Sequence, residues 1–373
     1  MRGEIVCRGS PNHFGSMRCR RTSVRDTLRG PTKGHSTSTP SKRSNPGFEL
    51  LPSGTHMSVC PLFERMANVL SDIFNLAVLG PIPRDNITSY QGENFEKFGC
   101  AVYTAACMSS LAGAGSKVHV VSHVRKSDVA KVRNLLSEFA NIDTSYVTGD
   151  ADQGAAIDLV YVDQNRRKET QTGFMNPILP EDIDDLMSCD AYVFVPITDF
   201  EVPLETLRHI KANSEGLVVF DAHGPTSGCS VHGERFHKFW IDRDRWLPYI
   251  DLLKMNLEEA QCSWFKGEYS KGELLDVSEL TMDLLPQFAR HCLHEGVRAL
   301  YVTLDQHGCA VYHNDDEGRM REHLVKRILV EDVVDTTGCG DSFAGGLAFG
   351  YLHTGDFVKA CQFVTCAGAQ RCT

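Results

Sequence analysis

Val333-Val334-Asp335-Thr336-Thr337-Gly338-Cys339-Gly340-Asp341-Ser342-Phe343-Ala344-Gly345-Gly346 decides how this chain is read. Two glycines bracket a small residue, an aspartate follows at once, and a run of small residues then begins. Glycines ahead of a helix let the backbone turn tightly, so the first amides point outward at the positive end of the helix dipole. Such a terminus binds anions. An aspartate there can cap the helix or, beside a bound anion, take a proton from a nucleophilic hydroxyl. The glycine bracket and the upstream Asp335-Thr336 favour the second role.

The chain leading to that stretch alternates short apolar runs with helical patterns. Asn75–Leu79, Val118–Ser122, Ala191–Pro196, Leu217–Asp221, Asp251–Met255 and Ala299–Thr303 read as strands, with helices from Phe98 to about Leu111 and over Leu204–Ala212. Such an order predicts a mostly parallel sheet covered by helices on both faces, a three-layer α/β sandwich. Ala155–Asp163 alternates instead, as a half-buried strand does, and Arg166, Arg167 and Lys168 follow it as a polar turn.

The 373 residues are 42% hydrophobic and 23% charged, with a net charge of −10, an ordinary composition that does not suit a nucleic-acid binder. No apolar run reaches the length of a membrane span. Fourteen cysteines are scattered without a Cys-x-x-Cys and read as reduced thiols. Residues 1–56 are Arg- and Ser-rich and poor in acids, and read as a disordered basic leader before a domain over 57–373. A cytoplasmic protein is expected, or an organellar one if the leader is a transit peptide. Cys229-Ser230-Val231-His232 with His237 has part of a zinc spacing but lacks a second cysteine pair, so a surface insertion or a substrate-proximal loop is expected there. Neither a Gly-x-x-x-x-Gly-Lys-Ser/Thr loop nor a Gly-x-Ser-x-Gly elbow occurs.

Asp335-Thr336-Thr337-Gly338-Cys339-Gly340-Asp341 resembles the second signature of the PfkB, or ribokinase-like, sugar and nucleoside kinases, with Cys339 where alanine is usual. Three further stretches match in order. Gly80-Pro81-Ile82-Pro83-Arg84-Asp85 resembles the family's first strand end, whose aspartate grips substrate hydroxyls. Asn256-Leu257-Glu258-Glu259 resembles the family's Asn-x-x-Glu, and Thr303-Leu304-Asp305-Gln306-His307-Gly308 its Thr-Leu-Gly-x-x-Gly, with Asp305 in place of glycine. The family's Gly-Gly-x-x-x-Asn is here Gly99-Cys100 and, at the last position, Thr104.

The resemblance implies a ribokinase-like sandwich with a small β lid formed near 85–95 and 155–170. It implies transfer of the ATP γ-phosphoryl group to a primary hydroxyl, with Asp341 as base and backbone amides of Gly338, Cys339 and Gly340 stabilising the transferred group. Glu259 and Asn256 would hold Mg²⁺ through water. Thr303 and Gly308 would line the nucleotide, Asp85, Gly99 and Thr104 the sugar, and Asp335 and Thr337 would contact K⁺ if one is used. Dimerisation through the lid is known in parts of the family. The family's last helix is followed by a glycine-containing loop, and the sequence ends at Thr373 where that loop would begin, so it reads as shortened. A nucleoside kinase of the same fold, to which Tyr103 is the one pointer, and a non-catalytic member that binds without turnover are the alternatives.

Overall fold

The computed structural model describes residues 72–113, 115–163, 167–264, 281–328 and 338–371. All belong to the unit Ser58–Thr373. The basic leader, Asp335, Thr337 and Arg166 lie outside the described residues.

The first strand, β1 (Asn75–Leu79), is followed by β2 (Arg84–Thr88), β3 (Asn94–Phe98) and helix α1 (Ala101–Ala112). Then come β4 (Lys117–His123), α2 (Lys126–Leu136), the short β5 (Ile142–Asp143) and β6 (Val147–Thr148), β7 (Ala156–Tyr161) and β8 (Arg167–Gly173). The second half runs β9 (Ala191–Phe194), α3 (Leu204–Asn213), β10 (Leu217–Asp221), a hairpin of β11 (Ser227–Cys229) and β12 (Arg235–His237), β13 (Leu252–Asn256) and α4 (Leu257–Ser263). It closes with α5 (Leu285–His294), β14 (Ala299–Thr303), β15 (Cys309–Asn314), β16 (Met320–Val325), α6 (Cys339–Thr354) and α7 (Phe357–Arg371).

The large sheet has the order β16-β15-β14-β13-β10-β9-β1-β4-β5, with β6 also on β4. From β5 to β14 all neighbours are parallel, and β15 and β16 add an antiparallel edge. Alternation along the central strands divides the interior into two cores. Leu76, Val78, Val193 and Val219 pack with α1, α6 and α7, whereas Ala77, Leu79, Phe194, Val218 and Phe220 pack with α3 and α5. These are the two helical layers expected of near-continuous apolar strands.

A second sheet, β3-β2-β7-β8, forms the lid. Its segments extend beyond the expected bounds, through Phe98 and Gly173. Arg167 and Lys168 open β8 instead of sitting in a polar turn, because they pair with Tyr161 and Val160 of β7 across the sheet. No disulfide joins the described cysteines, and no described helix is long and apolar enough to cross a membrane.

Helix α6 reaches the sheet through its small residues. A Cβ on Gly345 would lie 2.8 Å from the Thr104 carbonyl oxygen and 2.9 Å from Met108, so α1 and α6 touch nearly backbone to backbone. Met108 can give way to an added side chain, but the Thr104 carbonyl is fixed in helix α1 and cannot. Gly345→Val is expected to lower stability by about 1–3 kcal/mol in urea unfolding, with the m-value unchanged.

Candidate active site

Strand ends and one helix start converge on the site. Parallel α/β sheets gather their ligands at the carboxyl ends of strands, and here β10 ends in Asp221, β13 in Asn256 and β14 in Thr303. Asn256 and Thr303 are direct neighbours in the β13–β14 register. Helix α6 starts at the same end of the sheet, with Gly338 as its N-cap at φ 81°. That left-handed backbone favours glycine. Space demands it as well, since a Cβ at Gly338 would meet the Tyr103 ring at 2.3 Å.

Asp341 lies in the first turn of α6 and is half-buried. Burial raises its pKa above the usual carboxylate value, although Lys254 and His223 oppose the shift. A carboxylate made more basic than usual while cations keep it ionisable is what a general base requires. Ser342 donates its amide to the Gly338 carbonyl. Cys339, Gly340 and Asp341 occupy the first turn, where amides have no partner within the helix.

Asp85 is buried in lid strand β2, and Gly99 stands against it: a Cβ there would come within 3.1 Å of Asp85 Oδ2 and 3.4 Å of Tyr103. Tyr103 thus touches both Gly99 and Gly338, joining the lid side to the helix start. Burial, reinforced by Glu169, pushes Asp85 up to about 7. Cys100 is buried, with its thiol donating to the Val195 carbonyl at 3.0 Å. Thr104 is fully buried and donates to the Asp341 backbone carbonyl at 3.1 Å. That hydroxyl bond joins α1 to the helix bearing Asp341.

Asn256 and Glu259 form a reciprocal cap on α4. The Glu259 amide donates to Asn256 Oδ1 at 2.7 Å, and the Asn256 amide to Glu259 Oε2 at 2.8 Å. His223 Nδ1 meets the other carboxylate oxygen, Oε1, at 3.0 Å. Burial alone would raise Glu259, but the His223 bond and Lys254 overcome it and hold the carboxyl well below its ordinary range. With both oxygens already engaged and only 2% of the residue exposed, Glu259 fits a divalent cation held through water and not one bound directly. Among the described residues no group of three or more His, Cys, Asp or Glu forms a metal cage. The Cys229–His237 segment is the β11–β12 hairpin.

Thr303 turns its hydroxyl back to the Met255 carbonyl at 3.4 Å, and Gly308 ends the turn from β14 into β15. Asp305, where the family has glycine, and Cys100, at the second glycine of the other motif, both hold left-handed backbone, φ 48° and 52°. The backbone shape that glycine would supply is kept at both positions.

Two site residues escaped the sequence reading. Lys254 and Asp221 form an ion pair of 2.6 Å, each about 5% exposed or less. A Cβ on Gly340 would be 3.2 Å from Lys254 Nζ, so this ammonium abuts the start of α6. The signal was a lysine inside an otherwise apolar parallel strand, since such a position is buried on both faces and a charge there needs a partner.

Comparison with known proteins settles the family. Residues 99–373 match the family model described as pfkB family carbohydrate kinase. This chain belongs to that family. It is a PfkB-type carbohydrate kinase, a phosphotransferase with an alcohol acceptor. It is 26% identical to a deoxyribokinase of Salmonella typhi over 305 residues, which covers 77% of this chain and 88% of that protein. Among solved structures it is similar to a pyrophosphate-dependent kinase of the ribokinase family, with a TM-score of 0.60, 19% identity and coverage of 78% and 92%. An Arabidopsis thaliana ribokinase complexed with ribose and ATP gives a TM-score of 0.58 at 16% identity, covering 79% of this chain and 91% of that one.

The raised Asp85 carboxyl has a consequence for stability. The folded state binds its proton more tightly than the unfolded chain does, so stability is lost as pH rises between the two pKa values, 3.8 and about 7. Asp85→Asn removes that loss. Its Tm relative to wild type should climb steadily across this window and level off above it, as read by scanning calorimetry. A pH-independent difference would contradict the assignment.

Proposed function

We propose that this kinase transfers the γ-phosphoryl group of ATP to a primary hydroxyl of a sugar or sugar-like substrate. The observation that carries the reading is Asp341 at the start of α6, made more basic by burial, between an acceptor side (Asp85, Gly99) and a donor side (Lys254, Glu259).

The acceptor hydroxyl gives its proton to Asp341 as its oxygen attacks the terminal phosphorus, and the bond to the leaving phosphate breaks in line. Amides of Gly338, Cys339 and Gly340 meet the charge on the transferred oxygens as fixed donors. Lys254 adds positive charge beside them. Asn256 and Glu259 are the residues that would hold a divalent cation through water, and such a cation would neutralise phosphate charge. Thr303 and Gly308 line the donor side, and Asp335 with Thr337 would contact a monovalent cation.

Asp85 and Gly99 orient the acceptor, while Thr104 acts through Asp341. Glu169 and Asp341 push the Asp85 pKa upward while Arg167 and Lys97 pull it down, so charges of both signs surround the acceptor side. Similarity to deoxyribokinase makes a pentose the first acceptor to try. Similarity to a pyrophosphate-dependent kinase makes pyrophosphate the alternative donor.

The test is product formation from a panel of pentoses, hexoses, polyols and nucleosides, with Mg²⁺ and either ATP or pyrophosphate. Asp341→Asn should lower kcat by about 10²–10⁴-fold while the donor still raises Tm. Near-normal turnover in that variant would sink the assignment.

A further inference from the structure

The hairpin inserted after β10 has no task in the mechanism above, yet it is built into the lid. Its strands pair in register from Ser227–His237 to Cys229–Arg235. The Gln171 amide of β8 donates to the Gly233 carbonyl at 2.8 Å, and Thr170 bridges to Glu234. The hairpin therefore extends the lid sheet beyond β8 and returns one side chain, Arg235, toward the strand ends.

Arg235 has a side chain only 9% exposed. One terminal nitrogen donates to Gln171 Oε1 at 2.8 Å. The other reaches the Ile197 carbonyl at 2.9 Å and His223 Nε2 at 3.1 Å. A guanidinium only donates and does not lose its proton. His223 Nε2 must then be the bare acceptor nitrogen, which leaves the ring proton on Nδ1, facing Glu259 Oε1 at 3.0 Å. Glu259 draws the His223 pKa upward against burial. A doubly protonated ring would nonetheless meet Arg235 donor to donor, so the neutral tautomer is the one both bonds accept. The result is an unbroken line from Gln171 on the lid through Arg235 and His223 to Glu259 and Asn256.

We propose that Arg235 is a positioning residue that couples the lid to the donor side of the site. It fixes the His223 tautomer that orients Glu259, and it is itself held by lid strand β8. The proposal rests on the kinase reading above and deepens it. When the lid lifts, the hairpin paired to β8 carries Arg235 away from the Ile197 carbonyl and His223 Nε2, so His223 loses its restraint and Glu259 loses its donor. A donor that needs Glu259 in place then favours the closed lid, and by reciprocity a closed lid favours the donor.

The experiment is amide hydrogen exchange of residues 167–173, with and without Mg²⁺ plus ATP and Mg²⁺ plus pyrophosphate, donor binding being followed in parallel by the shift in Tm. In wild type the bound donor should slow exchange in β8 by roughly tenfold, within the usual range of coupling between sites. In Arg235→Met the slowing should vanish while the donor still raises Tm. Arg235→Lys keeps the charge but not the fork and should restore part of it. Gln171→Leu removes one of the two β8 partners of the guanidinium, the other being Glu169 at 3.7 Å, without changing the hairpin, and should weaken the slowing even if Arg235→Met folds poorly. Equal slowing in wild type and variants overturns the coupling, as does a wild-type protein that binds donor without any lid response, and both leave the kinase reading standing. Wild-type protein that binds neither donor overturns the kinase reading, and the coupling falls with it.

Discussion

Burying Lys254 and Asp221 together is the constraint to which the rest of the site conforms. Neither charge could sit alone at those strand ends, because an uncompensated buried ion costs several kcal/mol. Paired at 2.6 Å, they place a permanent positive charge beside the start of α6. That ammonium is one reason Glu259 stays ionised despite burial, and it tempers the rise in the Asp341 pKa. One ion pair thus sets the charge state on both sides of the place where a phosphoryl group would pass.

The departures from the family's motifs take on a different weight in three dimensions. Cys100 and Asp305 replace glycines, yet both residues adopt the left-handed backbone that glycine would supply. Non-glycine residues hold such backbone only where their surroundings over-determine it. Cys100 shows how: its thiol is tied to the Val195 carbonyl, and it starts the helix whose Thr104 holds the Asp341 carbonyl. At 100 and 305 a residue with a side chain holds the positive φ that glycine adopts freely. At 104 the side chain is fully buried and bonded to the Asp341 carbonyl between two helices.

The lid is also more than the two segments that alternation reveals. Strands β2, β3, β7 and β8 make a sheet with β2 and β7 parallel, and the β11–β12 hairpin lengthens it. A parallel pair within so small a sheet joins segments far apart in the chain, so Asp85 on β2 and the charged β8 residues Arg167 and Glu169 are brought near each other by the fold. The upward shift of Asp85 follows from that placement, since its largest causes are burial and the β8 residue Glu169.

Much of the fold was legible because buried parallel strands must be continuous apolar runs; Asn75–Leu79, Leu217–Asp221 and Ala299–Thr303 stand where those runs fall. The start of α6 was legible too, because the tight turn at Gly338 needs glycine and a helix start needs little else. Strand β8 was hidden, since Arg167 and Lys168 look like turn residues until a partner strand pairs with them. The Lys254–Asp221 pair and the Gln171–Arg235–His223–Glu259 line were hidden for the same reason. Each joins residues between 12 and 64 positions apart, and a hydrogen bond across such a span exists only once the sheet has brought the strand ends together. The sequence by itself determined the backbone frame and the type of chemistry, through local conformational demands that neighbouring residues satisfy on their own. Only the tertiary structure decided which charges share a dielectric and which donors face which acceptors, because those depend on burial and distance.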